Sequence, residues 1–387
     1  MFKTFSNLTS AWPTKTSLYD CAEWINGYPF KPEELGEKGL PVIKIAELRG
    51  GISQSTAYST VDVPMRNRIE PGSLCFSWSG NPDTSIGAFV WRGPKGFLNQ
   101  HIFRVIPASD IHGRFLVHLL NFMQPFFATI ASSKQSTGLG HVTKADLKEI
   151  RIGMPDLRDQ KRIAEILDAW DEGIEGLGRL SSAKAAKRRA VANEFFSPKN
   201  ETMALSEIAR LNVRSLGSAT PPDFEFEYFA IGEDDEEEAG GRMNFVESPS
   251  RARRLANAGD IIYSTVRPLL RRVFRAPEHP SAVYSTGYAV IEPKRKADGS
   301  FIFHAMTSMQ AERQVYGRST GSNYPAIASG DIATLQVPDL SPDIRQKVGM
   351  ALDHMLEEEG HLERLAESYR SQKHGLMQTL FAGGPGT

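Results

Sequence analysis

The chain has 387 residues, a formal net charge of −1, 40% hydrophobic and 24% charged residues, which is the composition of an ordinary globular protein long enough for two or three domains. Its only cysteines are Cys21 and Cys75, which excludes a disulfide framework or a thiolate zinc site and suits a reducing cytoplasm. Near-neutrality argues against a protein that simply coats a polyanion, but the charge is segregated. Residues 251–275 hold seven arginines and one acid, Asp260, while residues 233–238 are six consecutive acids.

In chain order, residues 1–17 lack the apolar stretch of a signal peptide. A short amphipathic segment at 18–24 comes first. Alternating, β-branched and aromatic residues then predict strands at 40–45, 73–78, 88–91 and 102–106. Residues 115–130 predict a helix. Its apolar run is interrupted by His118, Asn121, Gln124 and Pro125, so it is expected to be buried in protein and not in a membrane. A polar loop follows at 132–142, then a strand at 147–152, then Pro155-Asp156. A long helix is expected over 160–196, capped by Asp156 or Asp159.

The same order then starts again. A short segment at 205–211 leads to strands at 228–231, 260–265 and 282–291. A helix at 301–315, a loop at 317–327 and a strand at 332–337 follow, and Pro342-Asp343 opens a last helix. The second pass is a copy of the first at a period of about 185 residues. Leu167, Asp168, Leu177, Arg179 and Phe196 fall on Leu352, Asp353, Leu362, Arg364 and Phe381, and Ser136-Thr137-Gly138 returns as Ser319-Thr320-Gly321. Gly72–Ser77 answers Gly259–Ser264, and His118 answers His304. This is far longer than a solenoid repeat. It predicts two domains of one fold in tandem, which suits a two-fold partner.

Both long helices carry an imperfect heptad pattern. Ile163, Leu167, Trp170, Ile174 and Leu177 form the seam of the first. Val348, Leu352, Met355, Leu362 and Tyr369 form that of the second. Gly173, Gly176 and Gly178 weaken the first helix by roughly 1 kcal/mol each, so it needs a partner, and its copy is the obvious one. Rods of this length, roughly 55 Å at 1.5 Å per residue, are expected to pair antiparallel and hold two globular halves apart. The expected fold is therefore α+β: a duplicated mixed α/β domain, each copy followed by a long helix, with the helices forming an antiparallel coiled coil. The expected boundaries are 1–155, 156–198, 199–342 and 343–382.

Motifs for chemistry are absent. The chain has no G-x-x-x-x-G-K-[ST] loop, no G-x-G-x-x-G, no H-E-x-x-H and no G-x-S-x-G. Asn81-Pro82-Asp83 is the nearest approach to the Asn-Pro-Pro-aromatic segment of amino-methyltransferases, and it is expected to be a turn. His354 and His361 suit a solvated helix face better than a metal site. The arginines after the strand at 260–265 are more informative: Arg267, Arg271, Arg272 and Arg275 suit phosphate or guanine contacts. A salt-bridged surface fits them equally, with 233–238 as a possible source of acids.

The segment from Lys144 to Asp168, KADLKEIRIGMPDLRDQKRIAEILD, resembles the junction into the central helix of type I restriction–modification specificity subunits. The second copy, 331–353, resembles it more loosely, with Arg345-Gln346-Lys347-Val348-Gly349 at the start of its helix. The resemblance covers essentially the whole chain. It implies a non-catalytic subunit whose two target-recognition domains each read half of a split double-stranded DNA sequence. It also implies docking of two adenine-N6 methyltransferase subunits on the helices, restriction subunits joining through these, and S-adenosylmethionine bound by the partner with no cofactor here. Candidate DNA contacts are Ser77, Trp78, Lys134, Gln135, Ser136, Thr137, His141 and Lys144 in the first copy. In the second they are Ser264, Thr265, Arg267, Arg271, Arg272, Arg318, Ser319, Thr320, Ser322, Asn323 and Tyr324. A stand-alone methyltransferase and a helical scaffold that reads no DNA are the alternatives.

Overall fold

The computed structural model describes residues 12, 14–134, 140–197, 199, 201–231, 237–278, 281–321 and 325–383. The chain forms two compact units, residues 1–176 with 365–387 and residues 177–364.

Each unit contains the same two four-stranded sheets. In the first unit, strands Ala22–Asn26, Ile102–Pro107, Leu74–Ser77 and Gly87–Val90 lie side by side, all antiparallel. The counterpart in the second unit is Ala209–Leu211, Tyr288–Pro293, Ile261–Ser264 and Val273–Arg275. The other sheet has one parallel pair at its centre in both units: Leu40–Ile43 beside Gly96–Leu98, and Glu225–Ile231 beside Ala282–Ser285. A small antiparallel pair closes each unit, Thr14–Ser17 with Arg151–Met154 and Thr202–Ala204 with Gln336–Pro338. The internal copy seen in the sequence is thus a copy of topology, strand by strand.

Five expected elements differ. The helix expected at 115–130 is two helices, Gly113–Phe122 and Gln124–Ser133, because Pro125 has no amide to continue the first and instead opens the second. Its counterpart also breaks, into Gly299–Met306 and Met309–Arg318, where Ser308 caps the latter through the amide of Ala311. The strands expected at 147–152 and 332–337 begin as single helical turns, Lys144–Glu149 and Ser329–Ala333, and only then extend as strands. In the first, Thr143 and Asp146 form a capping box. The segment 282–291 is likewise two strands, separated at Thr286-Gly287.

The long helices are Leu157–Phe195 and Pro342–Gly383. Each contributes one end to each unit. In the first unit, Ile163 and Leu167 from the start of one helix join Met377 and Phe381 from the end of the other in a single core with Leu18, Phe76, Phe115 and Phe127. In the second, Val348 and Leu352 join Ala192 and Phe196 around Phe301 and Ile302. The echo Phe196/Phe381 becomes a repeated contact: Phe381 packs 5.7 Å from Phe115, and Phe196 packs 5.3 Å from Phe301, between ring centroids. The outer seam residues therefore serve in the core of each unit as well as in helix pairing.

Between these ends the helices pair through Trp170 and Tyr369, edge to face at 5.4 Å, with Lys373 on Asp171 at 2.6 Å, all in the first unit. In the second unit Lys184 meets Glu358 at 2.7 Å, and Arg188 grips buried Glu359 with two bonds of 2.8 and 3.1 Å. Ile174, Leu177, Met355 and Leu362 are half-buried. Helix-start position 160 and its copy 345 show one job done with two chemistries. Gln160 bonds the backbone of Asp110, His112 and Pro155, whereas Arg345 bonds the Leu340 carbonyl and buried Asp298.

Candidate nucleic-acid interface

In each unit the strand that ends in serine runs into a loop, and that loop is zipped to a second loop by short β pairing. In the first unit the loop after Leu74–Ser77 pairs through Ser79–Gly80 with Gly140–His141, and the amide of Val142 donates to the Trp78 carbonyl at 2.8 Å. Gly80, at φ 127°, could not carry a side chain, because a Cβ there would lie 2.6 Å from that of Ser85. In the second unit the loop after Ile261–Ser264 is joined to the other by the Val266–Ala326 bridge and by the Arg267 amide on the Pro325 carbonyl at 2.7 Å. Loops 132–142 and 317–327, matched in sequence, are thus also matched in space where the structure describes them.

The first loop pair gathers Trp78, His101, Phe103 and His141. Trp78 stacks on Phe103 at 5.7 Å and lies 5.6 and 5.8 Å from the two histidine rings. Among the described residues, neither Trp78 Nε1 nor His141 Nδ1 has a hydrogen-bond partner, although both atoms are buried. Burial, with His141 nearby, lowers the His101 pKa, favouring the neutral ring. Two expected cations are already engaged. Lys144 donates to the Trp24 carbonyl at 2.5 Å and lies over Phe103, while Lys134 pairs with Asp146. Burial raises the Asp146 pKa, but Lys134 and the Thr143 hydroxyl and amide outweigh it and hold the carboxyl below its usual value.

The second loop pair is cationic and apolar. Arg267 and Arg271 both adopt the left-handed conformation, at φ 46° and 55°, and bracket the turn Pro268–Leu270. Leu269 and Leu270 are exposed there, as is Val266. Arg271 pairs with Glu312, and Arg275 with Asp353, so the salt-bridged reading holds for these two, but with acids far from 233–238 in sequence. Residues 232–236 lie outside the described set. Buried Nη1 atoms of Arg272 and Arg318 have no hydrogen-bond partner among the described residues.

Several expected contacts face inward. Ser77, Ser264 and Thr265 are buried. Ser264 Oγ donates to the Val266 carbonyl at 2.7 Å and Thr265 Oγ1 to the Gly287 carbonyl at 2.8 Å, and Ser77 Oγ lies 3.5 Å from the Ser79 carbonyl. These hydroxyls tie the strand ends to nearby backbone carbonyls. Ser319 turns its hydroxyl to the Val315 carbonyl at 2.7 Å, closing a helix, and Thr320 is exposed beside it. Gln135, Ser136, Thr137, Ser322, Asn323 and Tyr324 lie outside the described residues.

Sequence reasoning paired His118 with His304 and Asp168 with Asp353 without linking the pairs, and in space each histidine meets its aspartate. Nε2 of His118 is 2.8 Å from Asp168, which Arg114 also grips, and Nε2 of His304 is 2.8 Å from Asp353, which Arg275 and Ser300 also hold at 2.5 Å. Burial pushes the Asp353 carboxyl up, but bonds from His304, Ser300 and Arg275 outweigh it and bring its pKa down to about 2. Burial is the main cause of the lowered His118 pKa, against the pull of Asp168. His118, Asp168 and Asp171 offer three ligand atoms within 4.8 Å of one another. Arg114 pairs with Asp168 and Lys373 with Asp171, so both carboxylates already face a cation.

Residues 13–184 match the family model described as the type I restriction modification DNA specificity domain. Over that stretch, less than half of its length, the chain is similar to type I restriction–modification specificity proteins. It is 27% identical to the type I restriction enzyme EcoBI specificity subunit of Escherichia coli over 174 residues, 44% of this chain and 34% of that protein, so the match spans about a third of that relative. Identity to the type I restriction enzyme MjaVIII specificity subunit of Methanocaldococcus jannaschii is 21%, over 91% of this chain and 87% of that one. The fold is similar to that of the type I restriction–modification S subunit from M. genitalium, with a TM-score of 0.57 and 16% identity over 95% of this chain and 96% of the other. A second similar structure, from work on assembly and conformational transition of the type I R-M system, has a TM-score of 0.54 at 16% identity and covers 96% of this chain and 99% of its own. Among the described residues, no single helix is long and apolar enough to cross a membrane.

Proposed function

We propose that this chain is the non-catalytic DNA-reading subunit of a type I restriction–modification complex, acting on double-stranded DNA in the cytoplasm. Each unit reads one half of a bipartite target. The observation that carries this reading is the repeated loop pair: one topological place, occupied by Trp78 and His141 in the first unit and by Arg267–Arg272 with Arg318 in the second. Equal scaffolds with unlike side chains suit a target whose halves differ in sequence.

The paired helices are the proposed docking surface for modification methyltransferase subunits, with restriction subunits joining through these. Ile166, Ala169, Trp170, Gly173, Tyr369 and Gln372 line a largely apolar groove of about 490 Å³ in the first unit. Half-buried aromatic groups such as Trp170 and Tyr369, beside exposed Ile166, are typical interface anchors. S-adenosylmethionine belongs, on this reading, to the methyltransferase partner.

The test is to map methylated adenines made by the chain with its modification partner, before and after exchanging residues 199–342 for those of a relative. One half-site should change and the other should not. Methyl transfer by the purified chain alone, or simultaneous change of both halves, would overturn the proposal.

A further inference from the structure

We infer that the turn between Arg267 and Arg271 is an apolar reader of thymine, in which Leu270, with Leu269 beside it, contacts 5-methyl groups in the major groove of the second half-site. The inference rests on the DNA-reading role proposed above and assigns its chemistry within one loop. Single exposed apolar residues are ordinary on a protein surface. Here Val266, Leu269 and Leu270 are exposed within five residues, at 36%, 37% and 53%, on a loop whose strand register places it beside the second loop of the pair.

The backbone holds these side chains outward at a cost. Arg267 and Arg271 are in the left-handed region, where a Cβ is disfavoured, and no glycine replaces either. Pro268 fixes the turn between them, and the Leu270 and Arg271 amides close it on the Arg267 and Pro268 carbonyls at 2.9 and 3.1 Å. The loop base is secured by Ser264, Thr265 and the Arg267 amide on the Pro325 carbonyl. A tooth this firmly held is suited to touching an edge of fixed position. Among base edges the thymine methyl is the apolar one, and leucine on it discriminates A·T from other pairs.

Charge selects nucleic acid over an apolar protein surface as the partner. Arginines stand at both ends of the turn, Arg271 paired with Glu312, and Arg272 follows directly in sequence. The first unit supports the assignment by contrast. Its equivalent loop carries Asn81, Pro82, Asp83 and Thr84 at the tip, polar where the second is apolar, with Pro82 buried. The two units would then read by different chemistries, with methyl contact confined to the second.

The experiment uses the chain in complex with its modification partner and the mapped target duplex. Each thymine of both half-sites is replaced in turn by deoxyuridine, which removes only the methyl, and binding is measured at fixed salt. One or two positions in the second half-site should lose about fourfold in affinity each, corresponding to ~0.8 kcal/mol for one buried methyl. Leu270→Ala should bind the thymine target more weakly and be indifferent to deoxyuridine at those positions, while thymines of the first half-site should behave as in wild type. Since Leu270 is exposed, the variant should keep wild-type thermal unfolding, and the wild-type deoxyuridine scan decides the matter even if it does not. A second half-site without an A·T pair, methyl-blind binding, or methyl sensitivity surviving in both Leu270→Ala and Leu269→Ala would overturn the inference while leaving the DNA-reading role intact. Absence of any sequence-specific binding would instead remove the role on which it rests.

Discussion

Asp353→Asn tests whether the histidine–aspartate clamp holds the globular part of the second unit to the helix Pro342–Gly383. Asn keeps the shape of the side chain but removes the charge that meets Arg275, Ser300 and His304 at 2.5, 2.5 and 2.8 Å. The carboxyl is depressed from 3.8 to about 2, which by linkage corresponds to about 2 kcal/mol. Because water reaches the rim of the site, about 1–2 kcal/mol is the expected loss at pH 7. The folded pKa lies below the unfolded one, so the contribution is full above about pH 5 and fades as pH falls through 3.8 toward 2, leaving roughly half at pH 3. The assay is urea unfolding of wild type and variant at pH 7, 5 and 3, with hydrogen exchange read on Val273–Arg275 and Gly299–Met306, the elements that supply the partners. Equal stability at pH 7, or a gap that does not narrow on acidification, would refute the reasoning.

Phe381→Ala should cost the first unit about 3–5 kcal/mol, since the ring is fully buried against Trp12, Phe115 and Phe122; tryptophan fluorescence during unfolding measures it. Arg271→Ala should leave the salt dependence of DNA binding nearly unchanged because Glu312 already holds the guanidinium, whereas Glu312→Gln should release it and steepen the slope by about 1. Gly173→Ala meets no atom within 4 Å and should raise helix stability by about 0.5–1 kcal/mol. Because Gly173 lines the apolar groove, the same change should weaken capture of the modification partner, and unaltered co-purification would remove the groove from the docking surface.

The duplication, both long helices and the central strands were legible because hydrophobic period and repeat phase are local in sequence. What failed had both local and long-range causes. A residue pair such as Leu147 and Ile150 fits a helical turn as well as a strand, and only the Thr143–Asp146 cap decides between them. Ser77, Ser264 and Thr265 looked like donors for a ligand, since inward and outward hydroxyls are indistinguishable without strand register. The acids that take Arg271 and Arg275 lie 41 and 78 residues away in sequence, beyond the reach of any charge-run argument. The clamp was half visible: His118 returns after 186 residues and Asp168 after 185, but an echo shared by the whole duplication does not say which residues touch.

The exchange of helix ends has a consequence for the copies themselves. In the first unit, Leu376, Met377, Leu380 and Phe381 pack on the core around Phe115. At the period of 185 their equivalents are Val191, Ala192, Phe195 and Phe196, so the first copy carries a helix end of the same pattern as the one it receives. A fragment of residues 1–198 therefore lacks 365–383 but holds a substitute that cannot fold back into its own core, because its helix leads away from it. Two fragments can each lend the other this end, with Phe196 of one chain against Phe115 of the next, an exchange of like elements that closes as a two-fold dimer. The substitution of Met by Ala at 192 leaves a cavity worth about 2–5 kcal/mol at each site, so the dimer should be weaker than the internal pairing and should dissociate on dilution. Sedimentation velocity across a hundredfold concentration range should show a monomer–dimer equilibrium, and Phe196→Ala should shift it to monomer. A fragment that stays a folded monomer at every concentration would show that the first unit does not need the borrowed helix end.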